Sequence, residues 1–587
     1  MYFAFTVDIP KVPGIVRQTK NGTVYIDYEY ERNYVKSKGY TAPRRSTIGK
    51  QDPQNPDKMW PNQNYLKYFS EEAFPDKYDS RGRSACLRIG CYVLIRKLFD
   101  ETGISALLDQ QFDTESKGLL MDIAAYSIIT ENNAGQYYPA YAYNHPLFTN
   151  NMVQYSDSRI SSFLREITDD QRIGFLNAWN EIKDHREKVY ISYDATNKNC
   201  QAGEVDFAEF GNAKDDESKP IVNYAVAYNV KDGDPAFYEE YPGSINDVSQ
   251  LRQMIGKAQG YGYRHIGFIL DRGYFDRKNL LYIDECGYDF IIMVKGLKPL
   301  VRDMISEVKG SFEKKRAYYI KEHSVAGITV KRKMYESDEK ERYFHLYYSL
   351  SRENYERRLL EETLRKMEDT LKKHEGQEIT FSKQYEEYYE LFYHEEKETV
   401  KGHDGKEREI ISKKTFLFAR ERSDVIENET GFQGYFSLVT SDQMTAEEAL
   451  SLYKSRDESE KLFRADKSYL DDAAFRVYSN EAVASKIFIA FIALVIRNRI
   501  YRALREEKKK IEKAPNYMTV PAAIRELEKI EVVRLTDGLY RLDHAVTRTQ
   551  KDILQAFNID AGYIEAQALE LQIELKRIAE GTLKKGA

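Results

Sequence analysis

Five apolar segments separated by two helical ones dominate the chain between residues 189 and 294. Their order, strand-strand-strand-helix-strand-helix-strand, predicts an antiparallel meander followed by crossovers to parallel strands of the same sheet. Two of the strands end on an aspartate, VYISYD at residues 189–194 and HIGFILD at residues 265–271. Because the carboxyl ends of parallel neighbours meet at one edge of a sheet, we expect Asp194 and Asp271 to lie side by side.

A second feature is the segment Tyr453–Lys467, YKSRDESEKLFRADK, for which the sequence predicts a helix. Thr445 and Glu448 have the spacing of a capping box at its start. At about 100° per residue, four polar side chains fall within one narrow stripe of such a helix. They are Tyr453, Arg456, Glu460 and Lys467.

The stripe combines one carboxylate, two cations and a phenol. Such a set could deliver an acid to a metal ion while the cations hold a phosphodiester. A solvated charged face is the alternative, since 31% of the residues are charged and charge pairs are common on helices.

Length and composition narrow the protein class. A chain of 587 residues is too long for one core, so several domains are expected. The formal net charge of −6 excludes a uniformly basic nucleic-acid protein, so any DNA binding must use local patches. The apolar run Ile487–Ile496 is too short to span a bilayer. The four cysteines lack zinc spacing and suit a reducing compartment, and no secretory signal is predicted.

The first 50 residues alternate as strands do. After a turn at Asn21-Gly22, four apolar or aromatic residues are expected to share one face: Val24, Ile26, Tyr28 and Tyr30. Residues 32–50 contain six cations and no acid, which predicts either a basic β-arm on DNA or a solvated hairpin.

Residues 51–84 are rich in Pro, Asn and Asp and are predicted to be a linker. Residues 85–185 are predicted to be a helical domain. Within it, residues 159–182 form two amphipathic segments, the second starting near Thr168 or Asp169. They are either a DNA-binding helix-turn-helix or ordinary helical packing.

Residues 301–432 interrupt the α/β pattern and are predicted to be a largely β insertion, with a charged helix at about 352–374. The interrupted unit resumes over residues 433–512, beginning with a strand at 434–442. Its basic stretch Arg497–Lys513 is either a DNA contact or a solvated helix end. Residues 513–587 are predicted to be helical, and their apolar residues between Ile524 and Leu539 are candidates for a contact between protein chains.

The motifs together resemble the DDE transposases of bacterial insertion sequences, in the group whose third motif is Tyr-x2-Arg-x3-Glu-x6-Lys. The stripe Tyr453, Arg456, Glu460, Lys467 gives that motif in full. The second motif, Asp-x-Gly-Tyr/Phe, appears as Asp271 to Tyr274, and Asp194 in ISYDATN is then the first acid. The segment Met59–Tyr65 also resembles the N-terminal region of such transposases.

The resemblance implies a multidomain α+β protein. An RNase H-like mixed sheet flanked by helices would form the catalytic core from residues 186–300 and 433–512. The insertion would interrupt this core, and the N-terminal and C-terminal regions would be helical beyond the β-arm.

The resemblance also implies a chemistry, in-line displacement at phosphorus. Two Mg²⁺ ions about 4 Å apart, with Mn²⁺ as a substitute, would activate the incoming oxygen and stabilise the leaving one. Mg²⁺ takes oxygen ligands, so Asp194 is expected to bridge the ions while Asp271 and Glu460 each bind one. Arg456 and Lys467, with Tyr453, would bind DNA phosphates.

The implied partners are transposon-end DNA with terminal inverted repeats, target DNA, and a second copy of the chain paired on DNA, with no membrane. The implied location is the bacterial cytoplasm, at the nucleoid. Alternatives are a nuclease with the same core and no strand transfer, and a DNA-binding descendant without catalysis. A glycosidase with a carboxylate pair is more distant, since it has no need of a basic stripe beside its acid.

Overall fold

The computed structural model of the protein describes residues 2, 6–20, 22–35, 40–69, 83–185, 188–200, 202, 205–245, 247–401, 407–456, 474, 475, 477–511, 515–534 and 539–585. For some residues in these ranges, including Asp194, it describes the backbone alone. No helix within the described ranges is long and apolar enough to cross a membrane.

An antiparallel sheet and one short helix form the N-terminal part of the chain. The strand order is β1-β5-β4-β3-β2, and Lys20 pairs with Thr23, as the predicted tight turn requires. Gly22, in that turn, has a φ of 75°, a conformation that favours glycine. The elements are β1 (Val7–Asp8), β2 (Ile15–Lys20), β3 (Thr23–Val35), β4 (Tyr40–Gln51), β5 (Lys58–Pro61) and α1 (Gln63–Tyr68).

The core of this sheet corrects the predicted linker. Ile26 of β3 is fully buried against Met59 of β5 and Tyr65 of α1, with Val24 and Tyr28 partly buried beside it. The predicted apolar face of β3 therefore exists for Val24, Ile26 and Tyr28, whereas Tyr30 is 42% exposed and lies outside this core. The linker prediction is wrong for residues 58–68, because their apolar side chains complete the core of the sheet.

Three of the six cations predicted to form a basic arm lie beside acids of β3. Arg32 and Arg45 pair with Glu29, and Arg44 pairs with Glu31. These pairs lie at the surface, where each contributes little to stability. These ion pairs reduce the number of cations in the hairpin that are available to bind DNA phosphates. A DNA-binding arm stays a prediction.

Helices make up most of residues 90–181. The last helix of this region begins at Asp169, next to the predicted start, and Thr168 caps it through a capping box with Gln171. The Trp179 indole of that helix is buried and donates a hydrogen bond to the Pro235 carbonyl at 3.0 Å. This burial favours helical packing over a helix-turn-helix presented to DNA. The elements are β6 (Cys86–Arg88), α2 (Gly90–Glu101), α3 (Ile104–Asp109), α4 (Thr114–Thr130), α5 (Tyr138–Asn144), α6 (Asp157–Glu166) and α7 (Asp169–Glu181).

The central sheet follows the predicted order. Its first three strands form an antiparallel meander, the fourth pairs in parallel with the first, and the fifth pairs in parallel with the fourth. The spatial order is therefore β9-β8-β7-β10-β11. The elements are β7 (Val189–Cys200), β8 (Ile221–Asn229), β9 (Asp234–Pro242), α8 (Asp247–Gly260), β10 (Ile266–Leu270), α9 (Arg277–Glu285), β11 (Asp289–Met293) and α10 (Lys298–Val308).

Strand β7 is longer than its sequence predicts. It does not end on Asp194 but continues to Cys200, paired with β8. The extension, ATNKNC, is too polar to resemble a buried strand. Its asparagines are buried because the following loop satisfies them: Asn197 donates to the Asn212 carbonyl and Asn199 to that of Asp216.

The segment predicted to be a largely β insertion contributes both helices and strands. Strands β12, β13 and β14 continue the central sheet beyond β17, whereas β15 and β16 form a separate hairpin that packs on α11. Backbone pairing therefore runs across the predicted boundary. The elements are β12 (Tyr319–Ile320), β13 (Val325–Lys333), β14 (Glu341–Tyr348), α11 (Leu350–Lys373), α12 (Lys383–Tyr388), β15 (Tyr389–Lys401), β16 (Glu407–Glu421), α13 (Ser423–Thr430), β17 (Tyr435–Thr440) and α14 (Ala446–Lys454).

The C-terminal region contains strands as well as the predicted helices. Strand β19 pairs with β6, which joins this region to the helices α2–α7. Ile524, Leu527 and Ile530 are buried in the chain's own core, so the predicted contact surface is wrong for these residues. The elements are β18 (Ala474–Phe475), α15 (Asn480–Lys509), α16 (Val520–Leu527), β19 (Glu531–Arg534), β20 (Tyr540–Leu542), α17 (Arg548–Gln555) and α18 (Ala561–Lys585).

The basic second half of α15 is built into the fold. Arg497 is buried and pairs with Glu131 at 3.6 Å. Arg499 pairs with Asp234, and Arg502 donates to two carbonyls of the turn between β8 and β9. All three guanidinium groups bind acids or carbonyls of the chain itself, and for the buried Arg497 both interpretations of the basic stretch are wrong.

Asp234 is the buried member of this network, with a side chain 1% exposed, and Lys183 also reaches its carboxylate, at 3.5 Å. We expect Asp234→Asn to lower the free energy of unfolding by about 3 kcal/mol, because it leaves two cations without their counter-charge. Thermal unfolding followed by circular dichroism measures the change.

The matched control is Asp303→Asn, which changes an exposed acid of α10 and should leave the unfolding midpoint within about one degree. Equal midpoints for both variants would show that the Asp234 network does not stabilise the sheet.

Candidate functional site

Asp271 follows β10 directly, at the end of the strand that adjoins β7. The parallel register pairs Leu270 with Tyr193, the residue before Asp194. On its other side the Asp194 backbone pairs with Val226 of β8. The two aspartates therefore follow paired residues on adjacent parallel strands, which brings their backbones together at one end of the sheet. The Asp194 side chain lies outside the described atoms, so the position of its carboxylate stays a prediction.

The turn after β10 is fixed by a buried aromatic contact. Tyr274 is buried and its ring lies 5.6 Å from that of Tyr193, measured between ring centroids. A Cβ at Gly273 would meet the Asp271 carboxylate at 3.6 Å, an ordinary contact distance. Packing within the chain thus does not require a glycine at this position of the Asp-x-Gly-Tyr motif.

The Asp271 carboxylate is held by Arg456, which forms an ion pair and hydrogen bond with Oδ1. The Gly273 N–H donates to Oδ2 at 3.4 Å. Burial would raise the pKa of Asp271, but the Arg456 guanidinium, with the N–H groups of Arg272 and Gly273, outweighs it and holds the pKa below its usual value. The carboxylate is therefore ionised at neutral pH, and its side chain is 45% exposed.

Arg456 reaches Asp271 from the end of α14. The helix begins at the predicted capping box between Thr445 and Glu448 and ends at Lys454. The Arg456 guanidinium also lies over the Tyr453 ring, 5.2 Å from its centroid. The ring is 6% exposed and belongs to an apolar cluster with Ile269 of β10. Tyr453 thus supports the guanidinium, which in turn neutralises Asp271.

The structure brings together part of the predicted site. Tyr453, Arg456 and Asp271 form one contact chain, whereas Glu460 and Lys467 lie outside the described residues. Phosphate binding by Tyr453 and Arg456 stays a prediction, since here the two residues contact each other and Arg456 binds Asp271. Sequence reasoning missed the Arg456–Asp271 pair. The two residues belong to separate motifs 185 positions apart, and no local pattern links them.

Among the described residues, no group of three or more His, Cys, Asp or Glu side chains is placed to hold a metal ion. The side chains of Asp194 and Glu460 lie outside that set. Asp271 itself fits a hard divalent cation, because it offers ionised, half-exposed oxygen atoms. A cation that takes Asp271 would compete with Arg456 for Oδ1.

The family described as "Transposase DDE domain" matches residues 188–496, which is more than half of the chain, and the protein belongs to this family. The matched range runs from the start of β7 into α15 and contains all six predicted site residues.

No curated protein matches the chain. Among solved structures, the chain is similar to a piggyBac transposase synaptic complex with hairpin DNA, at 9% sequence identity and a TM-score of 0.28. The match covers 72% of this chain and 65% of the other, so the protein spans just under two thirds of that relative.

The contact with Asp271 predicts how Arg456 affects cation binding. We expect Arg456→Gln to tighten Mn²⁺ binding to the DNA-free protein, because the guanidinium no longer occupies Oδ1. An ion pair whose carboxylate is 45% exposed is partly screened by water and contributes about 1 kcal/mol, so the expected gain is about fivefold. Titration with Mn²⁺, with the free ion followed by electron paramagnetic resonance, measures the affinity.

Arg277→Gln is the matched control, since it breaks the comparable pair with Asp338 and should leave the Mn²⁺ affinity unchanged. Weaker or unchanged binding by the Arg456 variant would mean that Arg456 orients Asp271 instead of competing with the cation.

Proposed function

We propose that the protein is a DNA transposase that cleaves at transposon ends and joins those ends to target DNA, as in cut-and-paste mobilisation of an insertion sequence. The observation that carries the proposal is the register of β10 on β7. In a chain of the Transposase DDE domain family, it sets Asp271 next to Asp194 at one end of two parallel strands.

We propose that β7–β11 form an RNase H-like core. The support is topological, since three antiparallel strands are followed by two parallel ones in the order β9-β8-β7-β10-β11. Strand β7, the first of the five in the sequence, therefore lies in the middle of the five. Strands β12–β14 and β17 extend this core instead of forming a separate layer.

Asp194, Asp271 and Glu460 would hold two Mg²⁺ ions, with Mn²⁺ as a substitute. Bound ions supply activation of the attacking oxygen and stabilisation of the leaving oxygen. Asp271 suits this role because Arg456 and two backbone N–H groups keep it ionised. Glu460 would come from the chain that continues beyond α14, which ends beside Asp271.

We propose that the Arg456 guanidinium can donate to either of two acceptors, the Asp271 carboxylate or a DNA phosphate. In the DNA-free protein it pairs with Asp271, and its side chain is only 13% exposed. Once Asp271 is neutralised by a cation, the guanidinium would be available to a DNA phosphate, together with Lys467. The stacked and buried Tyr453 would orient the guanidinium and contact the DNA little itself.

The proposed partners follow from the reaction. A mobile element has two ends, marked by terminal inverted repeats, and one catalytic site per chain would serve one end. Two chains would therefore pair on DNA to hold both ends and the target. We propose the bacterial cytoplasm, at the nucleoid, as the place of action.

The proposal predicts that Asp271→Asn keeps binding to end DNA but loses Mg²⁺-dependent cleavage by about 100-fold or more, because a metal ligand contributes several kcal/mol to the transition state. The substrate is a duplex taken from the DNA that flanks the coding region. Gel assays measure binding, nicking and joining to a target plasmid.

Asp276→Asn is the matched control, since Asp276 caps α9 five residues away and asparagine caps helices equally well. It should cleave like the wild type. Cleavage by Asp271→Asn at the wild-type rate would exclude Asp271 as a metal ligand. Cleavage by the wild type without any joined product would indicate a nuclease instead of a transposase.

A further inference from the structure

The outer edge of the central sheet carries a segment rich in basic and aromatic residues. Strand β12 is the last strand of the sheet, and the segment around it, residues 314–321, reads KKRAYYIK. We call its six exposed cationic and aromatic residues the basic edge. They are Lys314, Lys315, Arg316, Tyr318, Tyr319 and Lys321.

The cations of the basic edge differ from their neighbours in having no acidic partner. On the adjoining strand and helix, Lys331 pairs with Glu341 and Arg332 pairs with Glu307. In the described part of the chain, no ion pair involves a cation of the basic edge. A cluster of four unneutralised cations in a chain of net charge −6 is a local anion-binding surface.

The acid that precedes the basic edge is turned toward its own chain. The Glu313 carboxylate accepts the Tyr435 hydroxyl at 2.5 Å and the Gly310 N–H at 2.9 Å. These hydrogen bonds leave the neighbouring lysines free of it. Exposed Glu322 follows Lys321 directly, so the segment carries four cations against one exposed acid and keeps a net positive charge that is available to a partner.

The two tyrosines favour a nucleic acid over a small anion. Tyr318 and Tyr319 are 37% and 48% exposed, and the Tyr318 ring is held edge-on against buried Phe312, 6.4 Å between ring centroids. Rigid aromatic rings between cations can contact sugars or bases while the cations bind phosphates.

The basic edge lies at the same end of the sheet as Asp271. Through the strand registers, Leu270 is in line with Val439, and Tyr319 is in line with Tyr435. Strand β17 runs opposite to β10, so Tyr435 lies four residues beyond Val439 in the direction of the carboxyl end of β10. The path from β10 to β12 crosses five inter-strand spacings, and the four residues add a displacement along the strands. Together they place Tyr319 roughly 27 Å from Leu270, which is the length of about eight base pairs of duplex.

The basic edge is fixed relative to the candidate site. Ile320 and Val325 share an apolar cluster with Tyr453, the residue that supports Arg456. His323, in the turn after β12, lies 3.4 Å from Ser451 of α14. One packed unit therefore carries both surfaces, so a duplex on one would meet the other at a defined distance.

We propose that the basic edge binds the phosphate backbone of a DNA duplex about eight base pairs from the position cleaved at Asp271. This inference rests on the proposed function for the identity of the duplex and the cleaved position. It adds a contact surface outside the predicted motifs. The competing account is edge protection, since exposed lysines on a short end strand also prevent sheets from pairing with one another.

The test uses the full-length protein with Lys314, Lys315, Arg316 and Lys321 all changed to Gln. The probes are a duplex of about 40 base pairs from the flanking DNA and a random duplex of equal length, bound at several salt concentrations. Removing one cation that binds a phosphate should reduce the slope of log affinity against log salt by about 0.9, so we expect a reduction of about two to four on both duplexes.

The matched control changes Arg365, Lys366, Lys372 and Lys373 of α11 to Gln. It also removes three lysines and one arginine, but from a different exposed surface. It should leave the slope close to that of the wild type. Circular dichroism and thermal midpoints verify that both variants are folded.

Equal slopes for the two variants would overturn the proposal, and so would self-association of the edge variant with unchanged DNA binding, which would indicate edge protection. Wild-type protein that binds neither duplex would overturn it as well. Loss of cleavage in Asp271→Asn, measured separately, reports on the proposed function and does not depend on these slopes.

Discussion

The parallel pairing of β10 with β7 is the constraint on which the rest of the site depends. All five residues of β10 are buried, as is the whole of β8 on the far side of β7. Because both faces of these strands are buried, a register shift of one residue would exchange their two packed faces, and the fit of the side chains to their neighbours determines the register. It fixes where Asp271 leaves the sheet beside Asp194. Ile269 of the same strand helps to bury Tyr453, which brings Arg456 to Asp271.

The elements that the sequence predicts correctly are those determined by interactions between residues close together in the chain. Largely apolar runs predicted β8, β10 and β11, the start of α7 was expected near Thr168 or Asp169, and capping-box spacing located the start of α14 at Thr445. The remaining elements depend on partners distant in sequence. The polar extension of β7 is a strand because a later loop satisfies Asn197 and Asn199, and β12–β14 join the central sheet because β17 returns beside β14.

The same division holds for the candidate site. The motifs predict Asp271 and Arg456 as functional residues, but only the fold shows that they contact each other. The number of cations along a stretch of sequence likewise does not show which of them are available to bind DNA. Arg497 and Arg499 occur in a conspicuous basic stretch, yet they are joined to acids of the chain's own core. The cations around Tyr319 attract less notice in the sequence and, within the described residues, pair with no such acids. Neighbours in space decide which charges are available to DNA.

We propose that three acids from separate parts of the chain, Asp194, Asp271 and Glu460, converge on one pair of ions. Anomalous diffraction from crystals grown with Mn²⁺ tests it without reference to activity. We expect anomalous peaks within about 2.0–2.6 Å of carboxylate oxygens of Asp194 and Asp271, with Glu460 completing the set and Arg456 displaced from Oδ1 of Asp271. Ordered Mn²⁺ bound elsewhere, or a Glu460 carboxylate on the opposite side of the sheet from Asp271, would contradict it.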